Sequence, residues 1–239
     1  MAIHLISDLH LSEESPELNQ LFSATLDAWR GKLDALYILG DLFEYWVGDD
    51  DNTPWIQGML GTLSAFSAHT PLRIMRGNRD FLLGAEFARQ TGAELIDDPT
   101  LFYCGSQAYL LSHGDTLASD DVAYQQFRAQ SRNPAWQQAM LARPLAERHA
   151  IARQARVQSK ANKQATGLDA ISDATDSAVL ALLDHYDWPM LIHGHTHRPA
   201  CHQIEHGEHS TQRWVIADWH DGHGGYLRLD GRGVSAYTL

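Results

Sequence analysis

The feature that most limits how this chain can fold is a series of short apolar runs, each ending in a ligand-type side chain. Leu36-Tyr37-Ile38-Leu39 stops at Gly40-Asp41, and Ala2-Ile3-His4-Leu5-Ile6 runs into Ser7-Asp8-Leu9-His10. Leu72-Arg73-Ile74-Met75 leads to Gly77-Asn78-Arg79-Asp80, and Ala108-Tyr109-Leu110-Leu111 to Ser112-His113-Gly114-Asp115. Pro189-Met190-Leu191-Ile192 ends in His193-Gly194-His195-Thr196-His197. Apolar runs of this length, bounded by Gly and polar residues, read as buried strands. Open α/β sheets place their ligands at the carboxyl ends of strands. Each piece alone is ambiguous, since Gly-Asp is often an ordinary turn and Asp8-x-His10 is either half of a metal site or a polar loop. Five in order, the first four at βαβ-sized intervals, converge in space if the strands run parallel.

The segments between them support alternation of strand and helix. Apolar residues at Leu18, Leu21, Phe22, Leu26 and Trp29 have helical spacing after Pro16, and helices are expected over roughly 54–68, 81–90 and 173–186. From about Asp120 to Ala165 strand signals stop and helical segments appear in Val122–Ser131, Pro134–Leu141 and Pro144–Asn162. The expected organisation is an α/β core over residues 1–119 and 166–239, with 120–165 inserted as a helical unit. Short strands are expected near 95–96, 101–103, 202–205, 213–217, 225–229 and 234–237. A length of 239 residues with 44% hydrophobic content suits one such domain. No apolar run reaches the roughly 20 residues that span a bilayer, and the N-terminus reads as a first strand rather than a targeting segment. Two cysteines make no disulfide framework, so a reducing cytoplasm is expected. A net charge of −12 argues against nonspecific nucleic-acid binding. Asp49-Asp50-Asp51 fit no EF-hand spacing and read as a solvated loop.

The strand ends together present Asp8, His10, Asp41, Asn78, His113, His195 and His197, a set too rich for one metal and suited to two with a bridging carboxylate. This pattern closely resembles the calcineurin-like metallophosphoesterase superfamily, whose motifs run D-x-H, G-D-x-x-[DE], G-N, H and G-H-x-H. The resemblance implies a four-layer αββα sandwich with a two-metal site at one edge. It places Asp8, His10, Asp41 and His197 on one metal and Asp41, Asn78, His113 and His195 on the other. Oxygen and imidazole donors without thiolate favour Mn²⁺, Fe or Zn²⁺, with Mn²⁺ expected. Two such ions activate a water and neutralise charge on the attacked phosphate.

One departure narrows the substrate. Many members read G-N-H-[DE], with the His as general acid; this chain has Arg79 there. Arginine stays charged and cannot act as an acid, but it grips phosphate bidentately. A phosphate leaving group, with a pKa of about 6, needs no proton donor. A phosphoanhydride substrate follows, unless Arg79 only pairs with Asp80 or Glu44. The insertion adds a second constraint: from Arg128 to Lys163 it holds eight of the chain's 18 basic residues and one of its 30 acidic ones. Arg153, Arg156, Lys160 and Lys163 form one helical stripe, and Trp136, Met140, Leu141 and Leu145 an apolar face. An anionic, amphiphilic partner is expected, each basic residue near an anionic surface contributing about 1 kcal/mol.

Within the superfamily the chain is most similar to the UDP-2,3-diacylglucosamine diphosphatases of lipid A biosynthesis, through the stretches 35–44, 77–82, 113–117 and 191–200. That resemblance implies attack of water on the UMP-side phosphorus, giving UMP and 2,3-diacylglucosamine 1-phosphate (lipid X). It implies a peripheral enzyme on the cytoplasmic face of the inner membrane, an acylated UDP-sugar as substrate, the insertion as lid, and no protein partner. The resemblance places catalysis on Asp41, Asn78, Arg79 and His195, and substrate contacts at Asn78, Arg79, Asp121, Ser159, Lys163, the position of Thr166, and His195. The family usually has a basic residue where this chain has Thr166, so Lys163 or Lys160 is expected to take over that contact. His193 reads as a core histidine, and His202, His206, His209, His220 and His223 as surface residues. Two other readings remain: a soluble nucleotide pyrophosphatase or cyclic-nucleotide phosphodiesterase, and a membrane-binding scaffold with a decayed site.

Overall fold

The computed structural model describes residues 2–166 and 172–239, with side chains given outside 159–166. Its core is two sheets packed face to face. The six-stranded sheet has the order β11-β10-β1-β2-β3-β4, built from β1 (Ile3–Ile6), β2 (Ala35–Leu39), β3 (Leu72–Met75), β4 (Glu94–Ile96), β10 (Gly225–Asp230) and β11 (Gly233–Thr238). The five-stranded sheet has the order β5-β6-β7-β9-β8, built from β5 (Thr100–Cys104), β6 (Gln107–Ser112), β7 (Met190–His193), β8 (Ala200–His206) and β9 (His209–Val215). β1 to β4 run parallel, as do β6, β7 and β9. Parallel pairing requires crossovers, and helices supply most of them.

Three apolar clusters define four layers. Leu5, Tyr37, Leu39 and Met75 of the first sheet meet Tyr109, Leu111 and Ile192 of the second, forming the layer between the sheets. The outer face of the first sheet packs on α1 (Pro16–Trp29), α2 (Pro54–Ser67) and α3 (Ala85–Thr91) through Phe22, Leu26, Leu63, Phe66 and Phe87. The outer face of the second packs on α7 (Asp176–His185) through Leu110, Leu191, Val179 and Leu183. The α/β core expected from the strand pattern, and the sandwich that the resemblance implies, are the architecture observed. β2, buried at all five positions, lies in the middle of its sheet and carries the continuous apolar run that such a place requires.

Between β6 and α7 lie α4 (Val122–Ser131), α5 (Pro134–Leu141) and α6 (Leu145–Thr166). Asp121 and Asn133 cap the first two of these by accepting from Tyr124 N and Ala135 N. α3 begins only at Ala85, after a turn over 81–84, because Gly84 takes an extended conformation at the helix start. The Asp49–Asp51 loop differs from the solvated loop expected. Asp49 accepts from Trp46 Nε1, Gly84 N and Phe87 N; Asp50 binds Arg148; Asp51 is buried and faces His149 at 3.0 Å. Asp50 and Asp51 receive α6, while Asp49 ties the loop to the start of α3.

Candidate active site

Chain reversal at each strand end is tight, and that tightness brings the site together. Eight non-glycine residues have positive φ among the described residues, and five of them are Asp8, His10, Asp41, His195 and His197. Side chains adopt this left-handed region at a cost of roughly 1–3 kcal/mol, and such residues concentrate at functional sites. Two glycines clear the space around them. A Cβ on Gly77 would lie 2.2 Å from Asp41 N, and one on Gly194 2.2 Å from Asp8 Oδ2.

The two sheets contribute unequally. Asp8, His10, Asp41, Asn78 and Arg79 follow β1, β2 and β3, while His113, His195 and His197 follow β6 and β7 across the sandwich. Backbone bonds stitch the loops: Asp8 N donates to Gly40 O (3.2 Å), His10 N to Asp41 O (3.0 Å) and Gly194 N to His113 O (3.0 Å). His195 N donates to Asp8 Oδ2 (2.8 Å), joining the sheets directly. Asp80 stays out of the site and accepts from Leu42 N, Phe43 N and Gly77 N, and burial raises its pKa to about 6.

Seven side chains then face one another. His197 Nε2 lies 3.5 Å from Asp8 Oδ1, His10 Nε2 3.9 Å from Asp41 Oδ2, and His113 Nε2 3.7 Å from Asp41 Oδ1. Asp41 thus turns one oxygen to each group, as a bridging carboxylate must. Asp8, His10 and His197 form one close set of donors, and Asp8, Asp41 and His113 another. Asn78 Oδ1 sits 2.8 Å from His113 Nε2 and 2.9 Å from His195 Nδ1. With its amide reversed, the nitrogen donates to those imidazoles and the oxygen accepts from Arg79 Nε at 3.3 Å.

The electrostatics fit cations. Asp8 Oδ1 and both ring nitrogens of His10 are buried without hydrogen-bond partners. Burial depresses the pKa of His113, but Asp41, Asp8, Asp115 and Asp98 outweigh it and raise it to about 9. Burial likewise depresses His197, and its bonds to Asp218 and Asp8 outweigh this, raising it to about 9. His195 is pushed down to about 3 by burial, reinforced by His113. Burial would raise Asp8, yet the close approach of His197 and the neighbouring imidazoles of His113 and His10 hold it well below the carboxylate range. Protons on His113 and His197 answer a buried carboxylate charge that divalent cations would answer better, and metal binding displaces such protons.

Arg79 is directed into this cluster. Its backbone N donates to Asp41 Oδ1 (2.8 Å) and its Nε lies 3.9 Å from Asp41 Oδ2. Among the described residues neither Asp80 nor Glu44 pairs with it; Glu44 is bound by Arg156. Asp121 caps α4 beside the site, and Tyr124 of that helix lays its ring 5.8 Å from that of His195. The side chains of Ser159, Lys160, Lys163 and Thr166 lie outside the described residues. His193 is fully buried between Gly194 O and Arg213, as a core histidine.

Three site residues are missing from the sequence reading. Asp218 faces His197 Nδ1 at 3.2 Å and Glu44 faces His10 Nδ1 at 3.2 Å, while Asp115 accepts from Tyr124 and Arg128 and adds negative charge near His113. A carboxylate behind an imidazole fixes its tautomer and raises its basicity. Glu44 occupies the last position of G-D-x-x-[DE], and Asp218 ends another apolar run, so both carried a signal. Asp115 lies within the quoted His113-Gly114-Asp115.

Comparison with known proteins agrees with this geometry. A family model for calcineurin-like phosphoesterase matches residues 1–199. A UDP-2,3-diacylglucosamine hydrolase of Chromobacterium violaceum is 63% identical over 239 residues, covering 100% of this chain and 99% of its own. The protein of the same name from Aromatoleum aromaticum is 48% identical, covering 98% of this chain and 95% of its own. Among solved structures, an archaeal phosphodiesterase aligns over the full length of both chains with a TM-score of 0.51 at 12% identity, a likeness of fold. The chain therefore belongs to the calcineurin-like phosphoesterase family.

Proposed function

We propose that the protein hydrolyses the diphosphate of UDP-2,3-diacylglucosamine to UMP and 2,3-diacylglucosamine 1-phosphate in lipid A biosynthesis. Relatives carrying the corresponding name support the substrate. The observation that carries the reading is Arg79, turned toward Asp41 where a general acid would otherwise stand. Asp8, His10, Asp41 and His197 would hold one divalent cation, and Asp41, Asn78, His113 and His195 a second, with Mn²⁺ the expected ion. When bound, the pair supplies an activated water and neutralises charge on phosphate.

The chain's own residues do the rest. Arg79 offers a planar fork of donors to the diphosphate oxygens, fixing the reacting phosphorus near Asp41 and stabilising charge as it develops. Asn78 and His195 flank it and orient the same oxygens. Water attacks the UMP-side phosphorus, and the bond to the bridging oxygen breaks with its electrons leaving on the lipid phosphate. That group departs unprotonated, so the missing acid costs little.

Residues 120–165 serve as a lid over the acyl chains, at the cytoplasmic surface of the inner membrane. Val122, Phe127, Leu141 and Val157 expose apolar side chains on α4 to α6, which supports that role. No described helix is long and apolar enough to cross a membrane. The test is turnover of acylated UDP-glucosamine beside its deacylated counterpart by the Mn²⁺-loaded protein. The acylated compound should be strongly preferred, and equal turnover defeats the lipid reading. In ¹⁸O-water the label should appear in UMP; label in the sugar phosphate overturns the assigned phosphorus.

A further inference from the structure

Glu44 stands between the metal-ligand cluster and the inserted helices. On one side its Oε2 lies 3.2 Å from His10 Nδ1, a buried nitrogen that makes no hydrogen bond of its own. On the other side Arg156 of α6 binds its Oε1. The backbone beneath is pinned, since Glu44 N donates to Leu11 O (3.0 Å) and Leu11 pairs with Phe43 in an isolated bridge. Two of the other inward-facing imidazoles have acceptors of their own behind Nδ1, Leu39 O for His113 (2.9 Å) and Asp218 for His197 (3.2 Å), whereas His195 turns its Nδ1 to Asn78. Among the described residues, Glu44 alone of these acceptors also binds α6.

We infer that Glu44 is a positioning residue whose carboxylate orients His10 and holds α6 through Arg156, so that cation binding by Asp8, His10 and His197 is coupled to docking of that helix. The inference rests on the cation-binding reading of this cluster. A carboxylate behind a ligating imidazole sets its tautomer and basicity. Negative charge engaged by a guanidinium is less available to the ring, so the state of Arg156 reaches His10 through Glu44. Such coupling is reciprocal: whatever α6 does to cation affinity, the cation does to α6 by the same factor.

Calorimetric titration of the whole protein with Mn²⁺ tests it. Glu44→Gln, which keeps the shape and removes the charge, should weaken one of two Mn²⁺ sites by about 10–100-fold and spare the other. Arg156→Gln should shift the affinity of that same site at least severalfold when Glu44 is present. In the Glu44→Gln background it should do nothing further, because it acts only through Glu44. Hydrogen exchange gives a second readout, with Mn²⁺ altering protection of α6 in the wild type and not in Glu44→Gln. Two wild-type Mn²⁺ sites left unchanged by Glu44→Gln overturn the coupling and leave the metal reading standing. So does an Arg156→Gln effect of equal size in both backgrounds. A wild-type protein that binds no Mn²⁺ overturns the metal reading and the coupling with it. If Glu44→Gln does not fold, Arg156→Gln alone decides, unchanged Mn²⁺ affinity and unchanged α6 exchange being the result against.

Discussion

Arg79 concentrates the functional argument in one side chain. The family pattern with His in this place supplies a proton; a guanidinium supplies charge and geometry instead. Arg79→Ala should lower kcat for the acylated diphosphate by about 10²-fold, the scale for removing one charge-stabilising donor. Mn²⁺ stoichiometry should be unchanged, because the Arg79 bond that fixes Asp41 comes from its backbone nitrogen. Full activity in that variant would remove Arg79 from the mechanism. Residues of this kind were legible in the sequence because their signal is local: an apolar run, a glycine, a donor. Asp41 and His195 stand out by this rule alone, and Asp8 by the run and the donor. Glu44 and Asp218 carried a weaker signal of place but none of role, because what gives them meaning is an imidazole reached only after folding. Glu44 lies 34 positions from its histidine in the chain, Asp218 lies 21 from its own, and no spacing rule links either pair.

At the scale of elements, the inserted helices were legible as helices, and part of their positive charge has a second use that the sequence did not show. α4 and α5 begin and end where capping residues and apolar spacing indicate. The basic residues, however, are in good part engaged with the core: Arg128 with Asp115, Arg132 with Gly77 O, Arg148 with Asp50 and Val47 O, and Arg156 with Glu44. The acidic loop over 49–51 and the basic insertion are two halves of one contact, some 98 residues apart for Asp50 and Arg148. That separation is why the loop alone read as a solvated surface and the insertion alone as charge awaiting an outside partner. Arg148 is 2% exposed and its partner Asp50 64%, so the ion pair itself contributes about 1 kcal/mol or less. The larger loss on Arg148→Met is the buried Val47 carbonyl left without its donor, at about 1–3 kcal/mol. The expected outcome is faster proteolytic cleavage within residues 134–158, with the melting of the core little changed. Cleavage at the wild-type rate would mean that this contact does not hold the insertion down.

At the scale of the whole molecule, the site exists because the parallel strands of two mixed sheets end at a common edge, and β1 is central to that arrangement. It pairs with β2 on one side and β10 on the other, and Asp8 follows directly from it. The sequence pattern placed the strands correctly but did not divide them between two sheets, because apolar runs do not report which neighbour they face. β1 also carries His4, held between Trp29 and Tyr226 at ring separations of 4.5 Å. Burial, aided by Arg228, pushes its pKa down to about 4 from an ordinary 6.5. A group with a depressed folded-state pKa stabilises the fold above its unfolded pKa and loses that contribution as the pH falls toward the folded value. For His4 the window runs from 6.5 down to about 4, and the loss by pH 4.5 is on the order of 2 kcal/mol. Asp80 opposes it: with its folded pKa raised to about 6, it favours the fold increasingly as pH drops below 6. A net acid profile therefore mixes both, and a variant is needed to separate them. His4→Phe keeps the aromatic contact and removes the titration. Urea unfolding at pH 7 and pH 4.5 should show this variant losing less than wild type between the two conditions, by on the order of 2 kcal/mol. Equal losses would mean that the imidazole gains its proton in the folded sheet as readily as in the unfolded chain.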